Sequence, residues 1–151
     1  MGDISTLKGV IDFAMEKEAE AQALYTNLAQ QIKSPRSAGI FTELAAEEQK
    51  HYEALKNLDF GLIADAILKP VPDLKISDYL HDVSYSPDMS FQDILVLAMK
   101  AEEHSHSLYR GLAGHTDDPE LKKIFEFMAT QEAKHKLRLE TEYDEYILTQ
   151  D

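Results

Sequence analysis

The chain of 151 residues contains no cysteine, which excludes disulfides, thiolate metal sites, iron–sulfur clusters and cysteine nucleophiles together. Glycine (6) and proline (5) are scarce, so collagen-like, disordered and low-complexity classes do not apply. Positive charge is also in short supply. Fifteen Lys and Arg against 28 Asp and Glu leave a net charge of −13, which repels nucleic-acid backbones and anionic membranes on average. The longest apolar stretch, Gly61 to Leu68, is short and interrupted by Asp65, so no bilayer-spanning segment is expected. The first residues, Met-Gly-Asp-Ile-Ser, lack a basic region followed by an apolar run, and no secretory signal is expected. These absences point to a soluble, acidic, cytoplasmic protein. At this length one core can form without covalent staples.

What the chain does have is a repeat. At an offset of 84 residues, Glu18 maps to Glu102, Tyr25 to Tyr109, Pro35 to Pro119, Phe41 to Phe125, Glu48 to Glu132 and His51 to His135. From Ala14/Ala98 to His51/His135 no gap is needed, and 14 of 38 aligned positions are identical. Two unrelated amphipathic helix pairs would match at Leu and Ala. Shared Glu, Tyr, Pro and His point instead to internal duplication.

Each half reads as a helical hairpin. Leu7, Val10, Ile11, Ala14, Met15, Ala21, Tyr25, Leu28 and Ile32 recur at helical spacing, and Phe41, Leu44, Ala45, Tyr52, Leu55 and Leu58 form the stripe of the second helix. The third carries Phe91, Ile94, Leu95, Ala98, Met99, Tyr109 and Leu112; the fourth Leu121, Ile124, Phe125, Met128, Leu139 and Tyr146. Thr6 and Ser90 are candidate N-caps, and Ser34-Pro35 and Asp118-Pro119 each set a capping residue before a proline at the first helical position. The expected fold is all-α: a single domain over 1–151, with helices at about 6–33, 35–58, 90–114 and 118–147. Residues 59–89 hold Pro70, Pro72 and Pro87 and are too long for an ordinary helix–helix loop. A crossover running the length of the bundle, with a short helix around Leu62 to Leu68, gives the ferritin-like four-helix topology. A tether between independent hairpins is the alternative.

Charged residues interrupt the apolar stripes at equivalent places. Glu18 and Glu102 take slots that should hold Leu, while Glu48 with His51 and Glu132 with His135 occupy consecutive stripe positions. Residues i and i+3 share a helix face, so each Glu-x-x-His aims a carboxylate and an imidazole at one point. Four inward carboxylates are costly to bury and repel one another, and two divalent cations would balance them. Two Glu and two Glu-x-x-His on four helices form the known di-iron or di-manganese carboxylate pattern. One such tetrapeptide is weak evidence, since composition alone yields about 0.6. The chain has three, and Glu103/His106 is the decoy, because its repeat mates Ala19 and Gln22 could not ligate in the same way.

The segments Glu18-Ala-Glu-Ala-Gln-Ala-Leu-Tyr25, Glu47-Glu48-Gln-Lys-His51, Glu102-Glu-His-Ser-His-Ser-Leu-Tyr109 and Gln131-Glu132-Ala-Lys-His135 resemble the rubrerythrin branch of the ferritin-like superfamily. The resemblance covers both hairpins. It implies a di-iron centre with Glu48 and Glu132 bridging, Glu18 and Glu102 terminal, and His51 and His135 on one iron each. Mn or Zn accepts the same ligand types. Two departures stand out. Rubrerythrins proper carry a cysteine-ligated rubredoxin module, which a chain without cysteine cannot contain. They also have an extra carboxylate one turn after the third-helix glutamate, linked to peroxide chemistry, where this chain has Ser105 and, in the repeat, Ala21.

The remaining polar candidates are open to two readings. Tyr25 and Tyr109 are either core residues or phenols that hydrogen-bond a ligand across the bundle. Glu47 and Gln131, four before each histidine, either hold its free N–H or are solvated. Gln22 and His106 sit one turn after the terminal glutamates, in contact with the ligands or partly exposed. His81, His104 and His115 fall off the pattern, and the other acidic residues read as a solvated face. The leading functional expectation is a di-iron oxidoreductase that reduces O2 or H2O2 with electrons from an external donor such as a rubredoxin. A homodimer is compatible with it. Non-catalytic iron storage or sensing is the alternative.

Overall fold

The computed structural model describes residues 6–58 and 88–148, which form four helices. They are α1 (Leu7–Gln31), α2 (Pro35–Lys56), α3 (Phe91–His115) and α4 (Pro119–Leu148). Each begins at a polar cap. The Thr6 hydroxyl accepts from the Gly9 N–H at 3.2 Å, that of Ser34 from Ser37 at 3.4 Å, and that of Ser90 from Asp93 at 3.1 Å. Asp118 Oδ1 accepts from the Leu121 N–H at 2.8 Å. Such caps satisfy amide groups that the first turn leaves without partners, each contributing about 1 kcal/mol.

The helices pair as two hairpins, α1 with α2 and α3 with α4, and the hairpins face each other through α1/α3 and α2/α4. The core has two apolar clusters. One joins the start of α1 (Leu7, Val10, Ile11, Phe13) to Leu55 on α2, Leu108 and Leu112 on α3, and Leu121 and Phe125 on α4. The other joins Tyr25 and Leu28 to Phe41 and Leu44, Ile94 and Leu95, and Leu139. The end of α1 thus lies beside the beginning of α3, so the two run antiparallel. α2 ends at one end of the bundle and α3 begins at the other, as a one-crossover topology requires. Residues 59–87, with the short helix expected at Leu62–Leu68, lie outside the described residues.

A polar seam ties α2 to α4 near the second cluster. The Ser37 hydroxyl donates to Glu142 Oε2 at 2.9 Å, and Arg36 pairs with Glu142 and Glu145. Arg138 donates to Glu43 at 2.9 Å. The expectation that acidic residues beyond the six form a solvated face fails at Glu142, which is buried. It sits one heptad after His135 on the inward stripe of α4, where the Ser37 hydroxyl and the Arg36 guanidinium are its partners. No helix among the described residues is long and apolar enough to cross a membrane.

Candidate metal centre

Between the two apolar clusters lies one polar layer. On α1, Glu18 sits between Ala14 and Tyr25; on α2, Glu48 and His51 sit between Ala45 and Leu55. On α3, Glu102 sits between Ala98 and Leu108; on α4, Glu132 and His135 sit between Ala129 and Leu139. All six residues are buried, none more than 4% exposed. Their carboxylate and imidazole atoms converge in two overlapping groups: Glu18, Glu48, His51, Glu132, and Glu48, Glu102, Glu132, His135. Within each group the candidate ligand atoms lie within 4.8 Å of one another. Glu48 and Glu132 belong to both.

The two histidines face the site through Nδ1. His51 Nδ1 lies 2.9 Å from Glu132 and 3.5 Å from Glu18; His135 Nδ1 lies 2.7 Å from Glu48 and 3.7 Å from Glu102. The two rings are nearly parallel, 5.8 Å apart. Both tyrosines are buried in the core and each hydrogen-bonds a candidate ligand across the hairpins. The phenol of Tyr109 on α3 donates to Glu18 Oε1 on α1 at 2.6 Å, and Tyr25 on α1 donates to Glu102 Oε1 on α3. Glu47 also holds a histidine, but on the opposite hairpin: its carboxylate accepts from His135 Nε2 rather than from His51. The antiparallel approach of α2 and α4 makes that neighbour available, a relation that spacing along one helix does not contain.

Burial without enough partners strains this layer electrostatically. Among the described residues five buried atoms make no hydrogen bond: Glu18 Oε2, Glu48 Oε2, His51 Nδ1, Glu102 Oε2 and Glu132 Oε1; the last and His51 Nδ1 lie 2.9 Å apart without the alignment a bond needs. Burial, followed by the charges of Glu102, Glu132 and Glu18, pushes the Glu48 carboxyl well above its usual range. Burial, then Glu102 and Glu18, does the same to Glu132. Burial also works against the charge of Glu102, but the neighbouring His135 imidazole, the Glu132 carboxyl and the Tyr25 hydroxyl prevail and hold its carboxyl low. Burial opposes a charge on His135, yet Glu102 and Glu47 outweigh it and raise the imidazole. Burial and nearby carboxylates push both phenols up, so they remain O–H donors. A raised proton affinity at the two shared carboxyls acts in the same direction as cations would, offsetting concentrated negative charge.

Glu103 and His106 do not join the layer. Glu103 lies 3.7 Å from Lys136, and His106 Nδ1 donates to the Ala129 carbonyl at 2.8 Å, on a groove with Arg110, Lys122 and Glu126. Gln22, Gln131 and Ser105 are half-buried, and none of them belongs to either group. His104 and His115 lie outside both groups as well, and His81 falls outside the described residues.

Four antiparallel helices around a buried carboxylate–imidazole layer define a ferritin-like bundle. Three solved structures share this architecture. A hypothetical protein from Pyrococcus furiosus is 25% identical, with a TM-score of 0.72 over 92% of this chain and 89% of that one. A Thermotoga maritima protein described as a ferritin-like diiron-carboxylate protein is 20% identical, with a TM-score of 0.74 over 93% and 96%. A dodecameric thioferritin, the bacterioferritin-related protein of Bacteroides fragilis, is 22% identical, with a TM-score of 0.70 over 97% and 88%. No curated protein matches the sequence. The rubrerythrin family profile matches residues 10–65 and 93–151, most of the chain, and the chain belongs to that family.

Proposed function

We propose that the polar layer holds two iron ions and that the chain is a redox protein, reducing O2 or H2O2 with electrons from an external donor such as a rubredoxin. The observation that carries this reading is the set of five buried atoms that make no hydrogen bond among the described residues, one on each of five candidate ligands. Carboxylate oxygens with one imidazole nitrogen per ion suit iron, although Mn and Zn accept the same types. The description of the Thermotoga neighbour as a diiron-carboxylate protein supports iron.

In this reading Glu48 and Glu132 would serve both ions, because each belongs to both groups. Glu18 and His51 would complete one side, Glu102 and His135 the other. Tyr109 and Tyr25 each hold one oxygen of a terminal glutamate, leaving its Oε2 for metal. The apolar clusters on either side limit water entry and preserve the strength of these electrostatic contacts. A ferrous pair would supply two electrons which, with two protons, reduce H2O2 to two waters or O2 to H2O2.

The test is metal analysis of protein purified without added metal, followed by ferrous titration of wild type, Glu48→Ala and Glu132→Ala. Two irons per chain are expected in wild type. Either variant should lose both while keeping its helical circular dichroism. A single ion at saturation would overturn the reading.

A further inference from the structure

The layer obeys the two-fold relation of the repeat closely. The paired distances are 2.9 and 2.7 Å (His51–Glu132, His135–Glu48), 3.5 and 3.7 Å (His51–Glu18, His135–Glu102), and 3.8 and 3.6 Å (His51–Glu48, His135–Glu132). The tyrosine–glutamate bonds are likewise a matched pair. The symmetry breaks behind the imidazoles. His135 Nε2 donates to the Glu47 carboxylate, whereas the repeat counterpart of Glu47 is Gln131. Among the described residues no hydrogen bond joins Gln131 to His51.

A carboxylate behind a ligating histidine does two things. It keeps the proton on the outer nitrogen, so that Nδ1 presents its lone pair to the metal, and it makes the ring a stronger donor. Glu47 also adds negative charge, and among the described residues no carboxylate holds the outer nitrogen of His51 in the same way. A carboxamide can accept an N–H but brings no charge. Removing such an outer carboxylate typically weakens metal binding by about 10–100-fold.

We propose that the two cation positions are unequal, and that Glu47 is the positioning residue that makes the Glu102/His135 side the tighter one and the first to fill. Gln131 leaves the Glu18/His51 side weaker. The proposal rests on the two-metal reading above. Glu47 lies at the rim with its side chain 38% exposed, so Glu47→Gln opens no cavity.

The experiment is an anaerobic calorimetric titration of chelator-stripped full-length chain with Co(II), together with anomalous diffraction from crystals loaded with one equivalent. Wild type should bind two Co(II) in steps at least about tenfold apart, the first ion lying beside His135. Glu47→Gln should weaken the first step about tenfold and leave the other, merging the two. Gln131→Glu should tighten the second step. In Glu47→Gln/Gln131→Glu the steps should separate again, with the single ion now beside His51. Lost packing would weaken both steps alike and could not move the first ion across the layer. Two equal steps in wild type, a first ion beside His51, or no response to Glu47→Gln overturns the proposal while leaving two-metal binding intact. Fewer than two ions in wild type overturns both.

Discussion

Each tyrosine of the layer is anchored on one hairpin and donates to a glutamate of the other, so a single O–H serves both the site and the fold. Tyr109→Phe keeps the ring in the core but removes the donor to Glu18 Oε1. A hydrogen bond to a charged acceptor contributes about 1.5–3 kcal/mol, and its loss would leave one more buried oxygen without a partner. We expect Tyr109→Phe to lower the melting temperature of the metal-loaded protein and to weaken one of two metal-binding steps by about tenfold. Tyr25→Phe should weaken the other step. Melting curves and titration of both variants check this, and an unchanged second ion in each would tie each phenol to its own glutamate.

At the scale of the helices, four stripes bring carboxyls to one level between apolar clusters, and metal-free stability becomes a matter of where protons sit. Glu48 and Glu132 have raised folded values, so between about pH 4.5 and those values the folded state binds more protons than the unfolded. Stability must therefore fall as pH rises through that window. The raised imidazole of His135 acts in the same direction: its contribution is complete below about pH 6.5 and is lost as pH climbs through the folded value. Glu102 is lowered and acts oppositely, below the ordinary carboxylate value. Chelator-treated protein should thus melt at a higher temperature at pH 5.5 than at pH 8. Glu132→Gln should raise the pH 8 value and flatten the dependence. Metal should reverse the trend, since binding displaces those protons and strengthens with pH. Thermal melts at the two pH values, with and without metal, decide it; a metal-free protein more stable at pH 8 would contradict the burial of unbalanced carboxyls.

At the scale of the whole molecule, the proposed redox function depends on where electrons come from. The chain has no cysteine and hence no rubredoxin-type relay within its 151 residues. Mixing the ferrous protein with H2O2 should oxidise about two irons per chain and then stop, and a reduced rubredoxin should restore cycling. A storage protein would instead keep taking up iron far beyond two per chain, and stopped-flow absorbance with iron analysis separates the two. Ser105, where rubrerythrins proper have a carboxylate, offers a second test. Ser105→Glu should speed oxidation by peroxide relative to O2, and an unchanged ratio would show that this position does not govern the choice of oxidant.

The periodic information of this chain is one-dimensional, and it sufficed for much. Caps at Thr6, Ser34, Ser90 and Asp118 and the 84-residue repeat delimit the helices. Breaks in the stripes at Glu18, Glu48, His51, Glu102, Glu132 and His135 identify the polar layer, because residues three or four apart must share a helix face. Spacing within a helix says nothing about which residue of another helix comes opposite. Tertiary packing alone decided that Tyr25 reaches Glu102 and Tyr109 reaches Glu18, that Glu47 serves the histidine of the other hairpin, and that Glu142 is buried against Ser37. Those pairings depend on the antiparallel register of α1 with α3 and of α2 with α4, which the apolar clusters set by packing in three dimensions.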